Sequence, residues 1–232
     1  MIIKYLKWDS TFFGKRIGKM DVSILDSKQS ILQTLDSSIS DYDLLYLYCP
    51  ENYFFPDKIG LKLVDRKVVY CGKIVQNEIE INPNIQLYKR KNPDPDLINL
   101  AIVSAQYSRY KIDDHFDAED YKRLYTRWME NSINRKIADV VLCYYECNRI
   151  IGMITLQIKN QNGIIGLLAV KSSTQNKGIG TQLINAAKDY LSKKGVTYIE
   201  VATQIDNLKA CRLYERNNLK QISIINIYHF WS

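Results

Sequence analysis

Histidine is scarce in this 232-residue chain: His115 and His229 are its whole complement. Neither has a partner at metal-ligating spacing, so no structural metal is expected. The five cysteines (Cys49, Cys71, Cys143, Cys147 and Cys211) contain no Cys-x-x-Cys pair. Cys143 and Cys147 lie four apart in a strand-like stretch, on one face, and read as reduced packing residues. No apolar run approaches the ~20 residues that cross a bilayer, so no membrane partner is expected. Met1-Ile2-Ile3-Lys4-Tyr5 lacks the basic start and apolar core of a secretory signal, and the expectation is a cytoplasmic protein. Dense basic runs are missing too. The net charge is +7, but the 32 Lys and Arg residues are spread among 25 acids. A stripe that tracks nucleic-acid phosphates is therefore not expected.

What is present is enough apolar material for a real core, with 46% hydrophobic and 25% charged residues. That balance argues against disorder. The length suits one large domain or two compact ones of roughly 100 residues each. Tyr5–Trp8 and Lys15–Ile24 read as strands around a turn at Gly14, and Lys28–Ser40 has helical apolar spacing. Leu44–Cys49 is a continuous β-prone run. A short helix is expected near Tyr53–Ile59, then extended structure over Leu61–Val75. Asn92-Pro93-Asp94-Pro95-Asp96 is the strongest punctuation, which places a linker at about 82–96. Beyond it, Asp96–Gln106 and Ala118–Asn131 read as helices, and Ala138–Cys147 with Arg149–Lys159 as a hairpin around Asn148. Strand Gly163–Val170, helix Gly178–Lys194, strand Thr197–Thr203, helix Leu208–Asn217 and strand Leu219–Trp231 follow.

The most informative stretch is Gly166-Leu167-Leu168-Ala169-Val170-Lys171-Ser172-Ser173-Thr174-Gln175-Asn176-Lys177-Gly178-Ile179-Gly180-Thr181. An apolar strand enters a polar loop, two glycines close it, and a helix begins with Ile179, Leu183, Ile184, Ala187 and Leu191 on one stripe. Glycines let backbone approach a ligand closely. The unpaired N–H groups of a first helical turn, beside the positive end of the helix dipole, make a cradle for a diphosphate. A dinucleotide-binding turn would need G-x-G-x-x-G, and a Walker loop would need Gly-Lys-Ser/Thr; neither is present. The positive net charge suits such a small polyanion.

Gln175-Asn176-Lys177-Gly178-Ile179-Gly180 resembles the [Q/R]-x-x-G-x-[G/A] acetyl-coenzyme A signature of the GNAT superfamily. Asn207, Ala210 and Tyr214 are similar to its N-x-x-A-x-x-x-Y segment, although Asn218-Leu219 replaces the usual glycine and aromatic. The resemblance implies an α/β fold, a mixed twisted sheet flanked by helices, over 97–232. A smaller truncated unit of the same type would precede it over 1–90. It implies acetyl-CoA as cosubstrate, with no metal. The donor would be held by Leu168, Ala169, Val170, Gln175, Asn176, Lys177, Gly178, Ile179, Gly180, Thr181 and Asn207. In this family the strand before the loop splays from its neighbour and the pantetheine arm lies in the gap. Tyr214 falls where the family places its general acid. A phenol of pKa about 10 can protonate a departing thiolate and is itself protonated at neutral pH. The backbone N–H near Leu168 is the expected oxyanion donor. No general base is evident; His229 reads as structural and His115 as part of a solvated loop.

Two further stretches concern the acceptor. Trp8-Asp9-Ser10-Thr11-Phe12-Phe13-Gly14 is similar to the opening of the TDP-fucosamine acetyltransferase family. Ser108-Arg109-Tyr110-Lys111-Ile112-Asp113, followed by Tyr125-Thr126-Arg127-Trp128, resembles that family's S-R-[FY]-x-x-D segment and its following helix. The ending Tyr228-His229-Phe230-Trp231 also resembles its terminal strand. The implied reaction is acetylation of the 4-amino group of a TDP- or UDP-linked 4-amino-4,6-dideoxyhexose for surface polysaccharide synthesis, with Arg109 and Asp113 at the acceptor. The alternatives are a protein amine or another small amine as acceptor, or a non-catalytic acyl-CoA-binding regulator. Superfamily members often dimerise, so a homodimer is part of the same implication.

Overall fold

The computed structural model describes residues 1–55, 60–75 and 80–232. Among these, the strands are β1 (Ile3–Tyr5), β2 (Ile17–Asp21), β3 (Leu44–Pro50), β4 (Leu61–Lys73), β5 (Ile85–Leu87), β6 (Val140–Glu146), β7 (Arg149–Lys159), β8 (Asn162–Val170), β9 (Tyr198–Gln204) and β10 (Lys220–Trp231). The helices are α1 (Lys7–Phe13), α2 (Lys28–Ser38), α3 (Pro95–Ser104), α4 (Arg109–Ile112), α5 (Ala118–Ile133), α6 (Ile179–Ser192) and α7 (Leu208–Arg216). The strands form one mixed sheet in the order β1-β2-β3-β10-β4-β9-β8-β7-β6-β5. This is the mixed α/β architecture expected, a large sheet flanked by helices.

Local chemistry sets the helix ends. Asp94 caps α3 by accepting from the Asp96 amide, with Pro95 in the first turn; Asp117 caps α5 by accepting from the Asp120 amide. Both follow the rule that a short side-chain oxygen satisfies an orphan N–H. Along α6 the stripe Ile179, Leu183, Ile184, Ala187 and Leu191 is buried. Each of its larger side chains contributes roughly 1.5–3 kcal/mol by leaving water.

The sheet separates its cores. On one face α6 and α7 pack with Val68, Tyr70, Ile165, Ile199 and Val201. On the other, Tyr46, Leu97, Tyr110, Leu124, Leu167 and Ala169 pack together beneath α3, α4 and α5. A third cluster joins Ile31 and Leu35 of α2 to Leu45, Leu47, Tyr228 and Phe230.

Some sequence expectations shift. Of the strand expected over Tyr5–Trp8, Lys7 and Trp8 belong instead to the helix Lys7–Phe13, where Phe13 stacks on Tyr110, and Gly14, at φ 65°, closes that helix instead of turning a hairpin. The strand expected over Lys15–Ile24 is confined to Ile17–Asp21. Tyr53–Phe55 is not helical, and the rest of the helix expected there lies outside the described residues. Within the span read as a linker, Ile85–Leu87 pairs with Leu142–Tyr144.

Candidate active site

The site is a fault in the sheet. β8 pairs with β9 in parallel only over Asn162–Ile165, although it runs on to Val170. Against β7 its register slips between Ile154 and Leu156, where the Thr155 hydroxyl accepts from the Leu167 amide at 2.8 Å. Gly166 makes room for this: a Cβ there would stand 2.8 Å from the Thr155 Oγ1. Past the slip, β8 and β9 have no ladder bonds between them. The gap is a cleft of about 680 Å³ lined by Leu168, Ala169 and Val170 on one side and Asn207, Ala210 and Tyr214 on the other. Gln106, just past the end of α3, also reaches it.

The mouth of the cleft is the start of α6. Gln175, Asn176, Gly178, Ile179, Gly180 and Thr181 line it, whereas Lys177 does not. Gly178 is the N-cap at φ 77°, and no side chain caps the first turn. The leading amides of α6 are thus without a side-chain acceptor, which is the electrostatic requirement for holding a diphosphate. Gln175 Nε2 donates to the Val170 carbonyl at 3.1 Å and ties the loop to the strand. The Thr181 hydroxyl accepts from Asn217 Nδ2 at 3.2 Å, linking the start of α6 to the end of α7. Asn207 has a structural duty as well: its Oδ1 caps α7 by accepting from the Ala210 amide, and its Nδ2 donates to Thr203.

Tyr214 is 5% exposed and lies against Tyr70, ring centroids 5.7 Å apart. Burial, with Cys211 adding to it, holds its phenol well above the ordinary range. It is a neutral O–H donor at the cleft wall. Three other wall residues, Lys209, Arg212 and Arg216, did not enter the sequence reading, though their spacing on a helix following an amphipathic pattern was readable.

The acceptor residues named from sequence lie together on the opposite sheet face. The Arg109 guanidinium stacks over Tyr46 and Tyr110, each 4.7 Å from the ring centroid, and donates to the hydroxyls of Tyr48 (3.1 Å) and Tyr110 (2.7 Å). Asp113, expected at the acceptor, is fully buried. Its Oδ2 accepts from Trp231 Nε1 at 2.9 Å and contacts His229 Nδ1 at 2.5 Å; its Oδ1 contacts His115 Nδ1 at 2.9 Å. Burial pushes that carboxyl up, but these hydrogen bonds outweigh it and hold it well below the carboxylate range. His229 stacks on Tyr46 at 4.8 Å and is itself wholly buried.

Asp65 is a polar residue of this face that the sequence did not signal. It is 7% exposed and accepts from Gln204 Nε2 at 3.3 Å. Burial pushes its carboxyl up to about 6, against the pull of Arg109 and of the Gln204 hydrogen bond.

The family model described as the acetyltransferase (GNAT) family matches residues 102–218, just over half of the chain, and spans β8, the loop, α6, β9 and α7. The chain belongs to the GNAT acetyltransferase family. It is an acetyl-CoA-dependent N-acetyltransferase, and the residues of the cleft fit that donor. A GCN5-related N-acetyltransferase from Sphaerobacter thermophilus resembles this GNAT chain with a TM-score of 0.55 at 16% identity. That match covers 81% of this chain but only 59% of the neighbour. A functionally unknown conserved protein from Staphylococcus epidermidis gives 0.62 at 12% identity, covering 93% and 84%. A tandem GNAT protein from the clavulanic acid biosynthesis pathway gives 0.56 at 10% identity, covering 93% and 75%. At these identities the likeness is one of fold. No curated protein sequence matches the chain. Among the described residues no helix of this acetyltransferase is long and apolar enough to cross a membrane, and no cluster of three or more His, Cys, Asp or Glu could hold a metal ion.

Proposed function

We propose that this acetyltransferase acts on the 4-amino group of a nucleotide-linked 4-amino-4,6-dideoxyhexose, a precursor of surface polysaccharide. One observation supports the acceptor. The three separate stretches that resemble the TDP-fucosamine acetyltransferase family meet in a single cluster. Phe13 of the first packs on Tyr110 and Phe116 at 5.4 and 4.9 Å. Asp113 of the second holds His229 and Trp231 of the third. Stretches that carry a resemblance by chance have no reason to converge.

The chemistry follows from the groups on either side of the cleft. A neutral amine attacks the thioester carbonyl, the new C–N bond forms, and the C–S bond breaks. The backbone N–H of Leu168 steadies the oxyanion. Tyr214 gives its proton to the departing thiolate, and the phenolate is restored by the proton lost from the amine nitrogen through water. Arg109 presents a charged, aromatic-bordered surface to the acceptor, and Asp113 positions that surface by clamping β10 to the end of α4.

Thiol release from acetyl-CoA, followed against TDP- and UDP-linked amino sugars and against peptide amines, tests this reading. Turnover confined to a 4-amino-6-deoxy sugar, with a raised KM in Arg109→Lys, supports it. Turnover on peptide amines but on no sugar sends the assignment to a protein acceptor.

A further inference from the structure

Asp65 is a buried carboxylate that the chemistry above does not use. Its partner Gln204 is the last residue of β9. β9 pairs with β8 only as far as Val201, so Ala202, Thr203 and Gln204 border the open gap. Side chains alternate along a strand. Ile199 and Val201 belong to the core under α6 and α7, and Thr203 bonds to Asn207 on that side, so Gln204 points to the other face. On β4, Val68 and Tyr70 share the donor-side core, and the register against β10 is unbroken from Val68 back to Asp65. That leaves Asp65 on the face of Arg109. Asp65 and Tyr214 therefore approach the same gap from opposite faces of the sheet.

Asp65 Oδ2 accepts from Gln204, but Oδ1 is buried with no hydrogen-bond partner among the described residues, and the same holds for Arg109 Nε. A desolvated acceptor and a desolvated donor, both unmatched, are costly to fold. They suit a ligand that brings an ammonium to Asp65 and an oxygen to Arg109. Burial raises the carboxyl most; of the charges around it, Arg109 and Lys67 pull it down and Asp206 pushes it up. Two rival acids are placed otherwise. Asp113 has both oxygens engaged by His115, His229 and Trp231, and Asp9 stands on α1 beside Tyr110.

We propose that Asp65 is the base for the acceptor: its Oδ1 takes a proton from the substrate's ammonium and frees the neutral amine that attacks the thioester. One N–H bond breaks, one O–H bond forms, and the carboxylic acid then returns the proton to solvent. The second proton, shed by nitrogen once the C–N bond exists, goes through water to the Tyr214 phenolate. A carboxyl raised to about 6 is ionised at neutral pH, yet holds a proton about 100-fold better than one at 3.8. β4 precedes residues 102–218, so the family match does not speak for this residue. The inference rests on the acceptor meeting the Arg109 face, not on its being a nucleotide sugar.

The pH dependence of kcat/KM tests it, with TDP- and UDP-linked 4-amino sugars and peptide amines as acceptors. For the amine that turns over, the unaltered enzyme should show an acid limb near pH 6. Asp65→Asn must draw on amine that is already neutral. At pH 7 its rate should fall about 10- to 100-fold for an amine of pKa about 8–9, then climb about tenfold per pH unit until it meets the unaltered enzyme. Asp65→Glu should restore part of the loss, and Asp9→Asn should keep the limb. Calorimetry should find the Kd for CoA unchanged in all three variants. A limb that persists in Asp65→Asn, or that moves with Asp9→Asn instead, overturns the proposal. So does a loss equal at every pH, the mark of a structural role. Turnover of peptide amines alone refutes the sugar acceptor and leaves Asp65 to be judged by the same profile. No turnover of any amine overturns both.

Discussion

Asp113 and His229 stand 116 residues apart in the chain, yet Oδ2 of the first lies 2.5 Å from Nδ1 of the second. This contact fixes the end of α4 against β10, and with it the Arg109 side chain that begins the same helix. Burial dominates the imidazole's titration, lowering it to about 4 although Asp113 pulls the other way.

The sign of the resulting pH dependence follows. In the unfolded chain the imidazole titrates near 6.5, so below that pH the unfolded state binds a proton that the folded state refuses. Stability is fully present above about pH 6.5 and is lost as pH falls toward 4. The contribution of Asp113, whose pKa is depressed, is lost only below about 3.8. Thermal unfolding followed by circular dichroism should therefore show a falling midpoint between pH 7 and 4.5. His229→Gln should flatten that slope and lower the midpoint at pH 7. An unchanged slope in the variant would assign the dependence to other groups.

Tyr214→Phe keeps the ring that packs on Tyr70 and removes only the proton donor. It should lower kcat by about 10²–10⁴-fold, the usual range for a general acid, while the Kd for CoA stays constant. Steady-state kinetics beside a CoA titration separates the two. Undiminished kcat would remove Tyr214 from the chemistry.

Gly178→Ala probes backbone, not space. At φ +77° the nearest atom to an added Cβ is Gln182 Nε2, at 3.8 Å. A left-handed conformation costs a non-glycine residue roughly 1–2 kcal/mol. Because Gly178 opens the first turn of α6, the cost should appear as CoA binding weaker by about 5- to 30-fold. A calorimetric titration reads it directly.

Gly163→Ala probes packing. Its Cβ would fall 2.3 Å from Leu191 Cδ1, in a place where Leu191 is completely buried. Overpacking of this kind costs about 1–3 kcal/mol, so the denaturation midpoint should drop. In combination with Leu191→Ala the loss should be less than the sum of the two single losses, because each change makes room for the other. Strict additivity would show that the contact is relieved elsewhere.

The donor half of the site was legible because its determinants are local. Gly178 and Gly180 stand two residues apart at the start of α6, the stripe from Ile179 to Leu191 announces a buried helix face, and Asn207 to Tyr214 is a single capped helix. The acceptor half was legible only as separate pieces. Arg109 and Asp113 were singled out, but nothing near Asp113 in sequence reports that His229 and Trp231 close over it. Asp65 gave no signal, since an aspartate in a strand acquires its meaning from Gln204, 139 residues away. Among the elements, the start of α1 was misread: Lys7 and Trp8, read as strand, open a helix whose Phe12 and Phe13 are held by tertiary contacts. The four-residue α4 is too short to leave a periodic trace.

The position of β10 also bears on how the chain is made. It lies between β3 and β4, pairing with Leu44–Pro50 on one side and Leu61–Cys71 on the other. On the ribosome, both neighbours emerge long before residues 220–231 exist. Until then β3 keeps one edge bare, and β4 waits on both sides, because its other neighbour β9 is also still to come. Bare strand edges invite pairing with other chains. A nascent chain that still lacks β10 is therefore a better client for a chaperone than one that has it, because residues 220–231 close the gap between β3 and β4.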